Sequence, residues 1–244
     1  MNESVRLKRD FVANVSYELR TPLTTIVGYA DLLHAQNAGN DSKQTAYLES
    51  IQSAAQELAR SIDDVLDMAQ IDAGEMSVSL EEVRLLDVIA EVGTRLAEAF
   101  KARGVHFDYQ GVKETGQVRV DARRLAQCLE HLLGNAIRNA QAKSTVTLKA
   151  QKDGDNLVLE VAYSGRGIPY HVQAHIFDRY IGRERGGPGL GLALVKALVE
   201  LHEGWITLES EPNEGASFKI HLPKQSATKA TPDTVKKKRP PTAP

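Results

Sequence analysis

Apolar residues in the first third of the chain recur at alternating steps of three and four. Val12, Val15, Leu19, Pro22, Ile26, Tyr29 and Leu33 form a heptad seam, which predicts one long helix over residues 1–35. Asn37-Ala38-Gly39-Asn40 reads as a turn, and Asp41 or Ser42 then caps a second helix. Its seam is Leu48, Ile51, Ala55, Leu58, Ile62, Val65 and Ala69, and Ala73-Gly74 ends it. Two such helices make a hairpin whose seam is poorly covered. Pairing two hairpins into a four-helix bundle covers it, so a homodimer is expected. The alternative is that the seam packs on the chain's own second domain.

The pattern changes after residue 74. Met76 to Leu80 has some strand character inside a connector, 75–84, and an α/β alternation follows over 85–223. A helix is expected over 87–102, strands at Val105–Tyr109 and Val118–Val120, and a helix capped by Asp121 that runs to about Ala140. Thr145–Ala150 and Leu157–Tyr163 read as strands joined by a turn through Gly154. A glycine-rich segment precedes a helix from about Leu190 to His202, and strands at Trp205–Glu209 and Ser217–Leu222 close the domain. A mixed sheet covered by helices on one face fits this order. The Lys-, Ser-, Thr- and Pro-rich residues 224–244, with the run Lys236-Lys237-Lys238-Arg239, read as a disordered, solvated tail.

Composition narrows the function classes. The formal net charge of −2 over 244 residues gives no reason to expect nucleic acid. The single Cys128 excludes an internal disulfide and a cysteine-based zinc site. No apolar run is long enough to span a bilayer and no signal peptide is evident, so a cytoplasmic location is expected. A longer parent protein could still reach a membrane through another segment.

Chemistry concentrates first at Phe11–Leu23, FVANVSYELRTPL. Tyr17 points away from the seam, and Arg20, Thr21 and Thr24 follow it on one exposed stripe. Pro22 should bend or loosen the helix beside them. FVANVSYELRTPLTTI resembles the H-box of sensor histidine kinases, whose pattern reads SHELRTPL. Tyr17 stands where that family places its phosphorylated histidine. The resemblance makes Glu18 the acidic neighbour that serves as base and Thr21 the position that serves dephosphorylation of a response regulator.

Other stretches resemble the ATP-binding boxes of the same family, whose domain shares its fold with gyrase, the Hsp90 chaperone and MutL. LAQCLEHLLGNAIRNA, 125–140, resembles the N-box. By this likeness Asn135 would hold Mg²⁺ on a bound triphosphate, for which an amide oxygen is a suitable hard ligand. Arg138 would contact phosphate, and His131 replaces a usual asparagine. VAYSGRGIP, 161–169, resembles the G1 box through Gly165, Gly167 and Ile168, with Tyr163 in place of the aspartate that accepts the adenine amino proton. An unpaired amino group there would cost ~1–3 kcal/mol, roughly ten- to a hundredfold in affinity. Ile176–Tyr180 resembles the F-box. GGPGLGL, 186–192, resembles the G2 box through Gly187, Gly189 and Gly191, with Pro188 where threonine is commonest. The stretch between them is short for an ATP lid.

The resemblance implies a dimeric helical hairpin followed by an α/β sandwich of the histidine-kinase/gyrase/Hsp90 ATPase type, with Mg-ATP as the family's cofactor. A tyrosine ester is a poorer phosphoryl donor to aspartate than a phosphoramidate, so histidine phosphotransfer through Tyr17 is excluded. The bearers of such a tyrosine that the chain resembles are cell-cycle regulators. The expected function is a signalling pseudokinase that docks a response-regulator receiver domain through Tyr17, Arg20, Thr21 and Thr24 and controls a partner hybrid histidine kinase. The alternatives are ATP-dependent autophosphorylation of Tyr17, a phosphatase using Thr21, and a nucleotide sensor. His34 and the other histidines lack a phosphoacceptor context.

Overall fold

The computed structural model describes residues 22–33, 41–154, 156–179, 181 and 189–223. The Tyr17, Glu18, Arg20 and Thr21 positions, the tail, Gly187 and Pro188 lie outside the described residues. Residues 22–33 form helix α1 and Asp41–Asp72 form α2. Tyr29 and Tyr47 bring the two together with ring centroids 5.5 Å apart. On α1 the described seam residues Pro22, Ile26, Tyr29 and Leu33 are buried or half-buried, while Leu23, Val27 and Leu32 are exposed.

Helix α2 behaves differently. Leu48 and Ile62 of its apolar seam are exposed in the single chain. The stripe it buries runs instead through Ala54, Ser61, Asp64, Asp67 and Met68. The seam is therefore not the face that packs on the second domain. That face carries two aspartates and a serine, so a hydrophobic pattern cannot reveal it.

The second domain holds a five-stranded sheet ordered β2-β4-β5-β7-β6 and a separate pair, β1 with β3. The strands of the pair are Glu81–Arg84 and Gln117–Val120, antiparallel, with Val83 opposite Val118. The strand expected near Met76–Leu80 thus begins at Glu81, and β1 joins the second domain although it lies within the expected connector. Residues 75–80 belong to no sheet; the Glu75 and Met76 N–H groups donate back to the Gln70 carbonyl at 2.9 and 3.3 Å. The Ser79 N–H donates to Asp121 Oδ2 at 3.0 Å, and Met76 is buried in the core.

In the larger sheet β2 (His106–Gln110) runs parallel to β4 (Thr145–Asp153), and β5 (Asn156–Tyr163), β7 (Gly215–Pro223) and β6 (Trp205–Glu211) continue antiparallel. Alternate residues turn inward: Val146, Leu148, Leu159, Val161, Phe218 and Ile220 are fully buried. The opposite face is polar and carries the Lys219–Glu209 pair at 2.6 Å. Helices α3 (Leu85–Arg103), α5 (Ala122–Asn139) and α7 (Gly191–Leu201) cover the apolar face. Two short helices, α4 (Val112–Thr115) and α6 (Tyr170–Gln173), were not anticipated. This is the helical region and α/β sandwich that the sequence implies.

Helix α5 is central. Leu129, Leu132, Leu133 and Ala136 have no exposed surface, and burial pushes the Cys128 thiol up to about 12. The helix starts at a junction. Asp121 Oδ1 accepts the Arg124 N–H at 3.0 Å as an N-cap, while its own N–H donates to Nε2 of buried His202 at 3.2 Å. His202 Nδ1 then carries the proton and donates to the Leu198 carbonyl at 2.7 Å. One aspartate thus ties the connector, α5 and the end of α7 together. Asp121→Ala should lower unfolding stability by about 1–2 kcal/mol, read as a lower midpoint in urea with unchanged slope. Asp121→Asn, which keeps a capping oxygen, should recover most of it.

Candidate functional site

The boxes converge around one end of α5, the start of α7 and the loop after β5. Tyr163 is the last residue of β5, opposite Val146 on β4 and Ala216 on β7. It is 6% exposed and belongs to the core. The loop after it, Ser164–Ile168, is fastened to the end of α5. The Gln141 N–H donates to the Ser164 carbonyl at 2.9 Å, and the Arg166 N–H to the Asn139 carbonyl at 3.2 Å.

This fastening explains the G1 glycines. A Cβ on Gly165 would stand 2.2 Å from the Asn139 carbonyl oxygen. Gly167 has φ +62°, and a Cβ there would stand 2.1 Å from the Glu211 carbonyl oxygen. Both glycines are required by chain packing alone. On the G2 side Gly189 adopts φ +68° and Gly191 opens α7.

The N-box side chains are already engaged. Asn135 Oδ1 and its carbonyl both accept from Asn139 Nδ2, at 3.0 and 2.8 Å. His131 Nε2 lies 3.1 Å from Oδ1 of buried Asp64 on α2. A Cβ on Gly191 would come within 2.8 Å of His131 Nδ1, so the ring fills the space beside the start of α7. The Arg138 guanidinium folds back along α5 over Gly134. Crowding that removes water from it lowers its pKa; Glu57 and the Tyr163 phenol oppose that shift, and Arg60 adds to it.

Further contacts reach α2. Asp67 Oδ2 accepts from Arg124 Nη1 and Gln127 Nε2, both at 2.8 Å. Arg179, from the F-box-like segment, donates to Asp72 at 2.7 Å through Nη1. That hydrogen bond, aided by the guanidinium charge, holds the Asp72 carboxyl below its usual range. Its contribution is present above the ordinary carboxylate pKa and fades as pH falls through the lowered one, and partial exposure keeps it small. Asp64, Asp67, Arg124, Gln127 and Arg179 had no assigned role in the sequence. The available signal was aspartates three apart on the stripe of Ser61 and Met68, which reads as a solvated face when helices are scored by apolar periodicity.

A cleft of about 610 Å³ opens beside the end of α5, edged by Arg103, Arg138, Asn139, Gly165 and Arg166. Guanidinium forks suit anionic oxygens. The cleft lining holds no carboxylate. The guanidiniums suit the anionic end of a nucleotide, and at 163, where the G1-box resemblance places a carboxylate, a buried phenol stands. Asn135 Oδ1 accepts one hydrogen bond from Asn139 and keeps a second lone pair, with which it would serve as a ligand for Mg²⁺. Among the described residues no group of His, Cys, Asp and Glu is arranged to hold a metal. On the hairpin, Thr24 is exposed on α1.

Residues 7–74 match the family described as the His Kinase A (phospho-acceptor) domain, and residues 120–226 match the histidine kinase-, DNA gyrase B- and HSP90-like ATPases. The chain belongs to the sensor histidine kinase family. It is 53% identical over 221 residues to the sensor protein DivL of Caulobacter vibrioides, covering 91% of this chain and 29% of that protein. It spans about a third of the length of the curated relatives it matches. Full-length ShkA, solved in complex with AMPPNP, aligns with a TM-score of 0.65 at 26% identity over 89% of this chain and 46% of that one. The histidine kinase ThkA in complex with the response regulator TrrA aligns at 0.68 and 22% identity over 91% and 64%, a likeness of fold. No described helix of this histidine-kinase-family chain is long and apolar enough to cross a membrane.

If the G1 glycines serve packing, Gly165→Ala should lower the thermal midpoint of the nucleotide-free protein by several degrees. An unchanged midpoint would return Gly165 to a purely ligand-binding role.

Proposed function

We propose that this chain is the hairpin and ATP-type domain of a two-component signalling scaffold. Histidine phosphotransfer is lost, and a response-regulator receiver domain docks on the hairpin of a homodimer. The observation that carries the reading is the position of the two tyrosines. Tyr17 stands at the phosphoacceptor position of the H-box, and Tyr163 fills the base-reading position of the G1 box with a buried ring. A phenol offers a single oxygen and no charge where a carboxylate accepts the adenine amino proton, and its ring takes more room. The 53% identity to the sensor protein DivL supports placement among signalling regulators. The exposed apolar stripes of α1 and α2, including Leu23, Val27, Leu48 and Ile62, support the dimer. Tyr17, Arg20, Thr21 and Thr24, which the sequence spacing puts on one helical stripe, are the receiver-docking face, with the aromatic as an anchor. Control of a hybrid histidine kinase is the further role that this docking would serve.

A second reading is favoured by one observation: Glu18 and Thr21 are retained although the histidine is not. Dephosphorylation of a regulator through Thr21 needs neither a histidine nor a bound nucleotide. Loss of regulator phosphate in the presence of this protein, abolished by Thr21→Ala, would establish it.

Calorimetric titration with Mg-ATP tests the scaffold reading. The parent should show no binding, and Tyr163→Asp should gain it if the ring alone closes the base pocket. Ordinary kinase affinity in the parent would overturn the role given to Tyr163 and make autophosphorylation of Tyr17, with Tyr17→Phe as control, or nucleotide sensing the leading reading. Failure of the parent to dimerise or to bind any receiver domain would remove the scaffold reading altogether.

A further inference from the structure

Three arginines from separate parts of the fold meet at one cleft. Arg103 ends α3, Arg138 lies in the last turn of α5, and Arg166 sits in the loop after β5. They edge the same space of about 610 Å³, a size usual for sites that take small molecules. The remaining lining is asparagine, glutamine, alanine and glycine, with no carboxylate and no aromatic ring.

The backbone that carries these side chains is tied together. The Arg166 N–H donates to the Asn139 carbonyl at 3.2 Å, and the Arg166 carbonyl accepts from the Asn213 N–H at 2.8 Å. The Lys143 N–H donates to the Gly104 carbonyl at 2.8 Å, which joins the end of α3 to the turn after α5. Arg103 Nη2 reaches the Arg138 carbonyl at 3.4 Å. The three cations are thus gathered before any ligand arrives.

Their charge is not met within the protein. Among the described residues, acids pair with Arg84, Arg95, Arg124 and Arg179, but with none of these three. Complementing the carbonyl ends of α3 and α5 accounts for Arg103 and Arg138. It does not account for Arg166, which belongs to no helix, or for a cleft from which every acid is missing. The cleft is also distinct from the base-reading position. Of the described positions that the ATP-box resemblance assigns, Arg138 and Gly165 line it, and His131, Asn135, Tyr163 and Gly191 do not.

We propose that this cleft binds a small polyphosphate anion through Arg103, Arg138 and Arg166, without reading a nucleobase. Guanidinium forks pair with phosphate oxygens two at a time, and adjoining phosphates match adjoining cations. With no ring to stack on and no acid to accept an amino proton, the cleft offers a base nothing. Inorganic polyphosphate and the phosphate chain of a nucleotide present the same chemistry to it. This goes beyond the scaffold reading and does not depend on it.

Calorimetric titration of the full chain with inorganic pyrophosphate, in the presence of a chelator, tests the site. One saturable site per chain is expected, weakening as salt is raised. Arg103 and Arg166 are exposed, so Arg103→Gln and Arg166→Gln should each lower the affinity on the order of tenfold while leaving the ligand-free thermal midpoint unchanged. Lys149→Gln, at an exposed position that does not line the cleft, should leave the affinity as it was. ADP should bind no more tightly than pyrophosphate. Absence of saturable binding would overturn the proposal. So would an equal loss with Lys149→Gln, which reports diffuse attraction to charge, or an affinity for ADP tenfold above that for pyrophosphate, which reports a base-reading site. A fall in the ligand-free midpoint that accompanies the loss would overturn it too, by assigning the guanidiniums to the helix ends. Mg²⁺ takes up the oxygens and charge that the cleft would meet, so Mg-ATP is a poor ligand for it. Tyr163→Asp should leave pyrophosphate binding unchanged, so failure of either titration is separable from failure of the other.

Discussion

A carboxylate that leaves water must find a cation or a full set of donors, and Asp64 and Asp67 of α2 have both left water. Asp67 is met by a guanidinium and an amide at 2.8 Å, and Asp64 by an imidazole at 3.1 Å. All three partners sit on α5. This requirement fixes where α2 lies relative to the second domain, because no sliding or rotation keeps both acids satisfied. The apolar contacts of Met68 and Ile71 add area to the contact but little direction. The polar pairs supply the register.

Helix α5 therefore carries two loads. Its apolar faces hold the sheet side of the domain together, and its start is tied by Asp121 to the connector and to His202. Its polar residues meet the hairpin. In an enzyme that passes a phosphoryl group from one domain to a residue on the other, the N-box must be free to hold the nucleotide, and the domains must be free to move. Here Asn135 bonds Asn139, Arg138 lies over Gly134, and His131 reaches across to α2. Asn135 and His131 are thus engaged within the protein, while Arg138 stays exposed at the edge of the cleft.

Much of this architecture was legible in the sequence because it rests on periodicity and punctuation. The hairpin seams, the Asp121 cap, the β4–β5 hairpin and the glycine-rich boxes all have local signatures. What was missed has none. The strand at Glu81–Arg84 depends on pairing with Gln117–Val120, thirty-odd residues away, and its own four residues are mostly charged. The face α2 turns inward is marked by aspartates, which ordinary helix reading assigns to solvent. Of the site, the substitutions at positions 131 and 163 were visible at once, but their physical meaning was not. Only the fold shows that the histidine has an acid to meet and that the tyrosine ring joins the core.

The G1 glycines carry an implication for recognising such proteins. Gly165 and Gly167 are held by backbone carbonyls 2.2 and 2.1 Å from where their side chains would begin. Any descendant of this fold that keeps its loop fastened to α5 and β6 must keep them, with or without a substrate. A glycine signature is thus a marker of ancestry and of loop geometry. Positions such as 131 and 163, where a side chain can change without moving the backbone, are under no such backbone constraint.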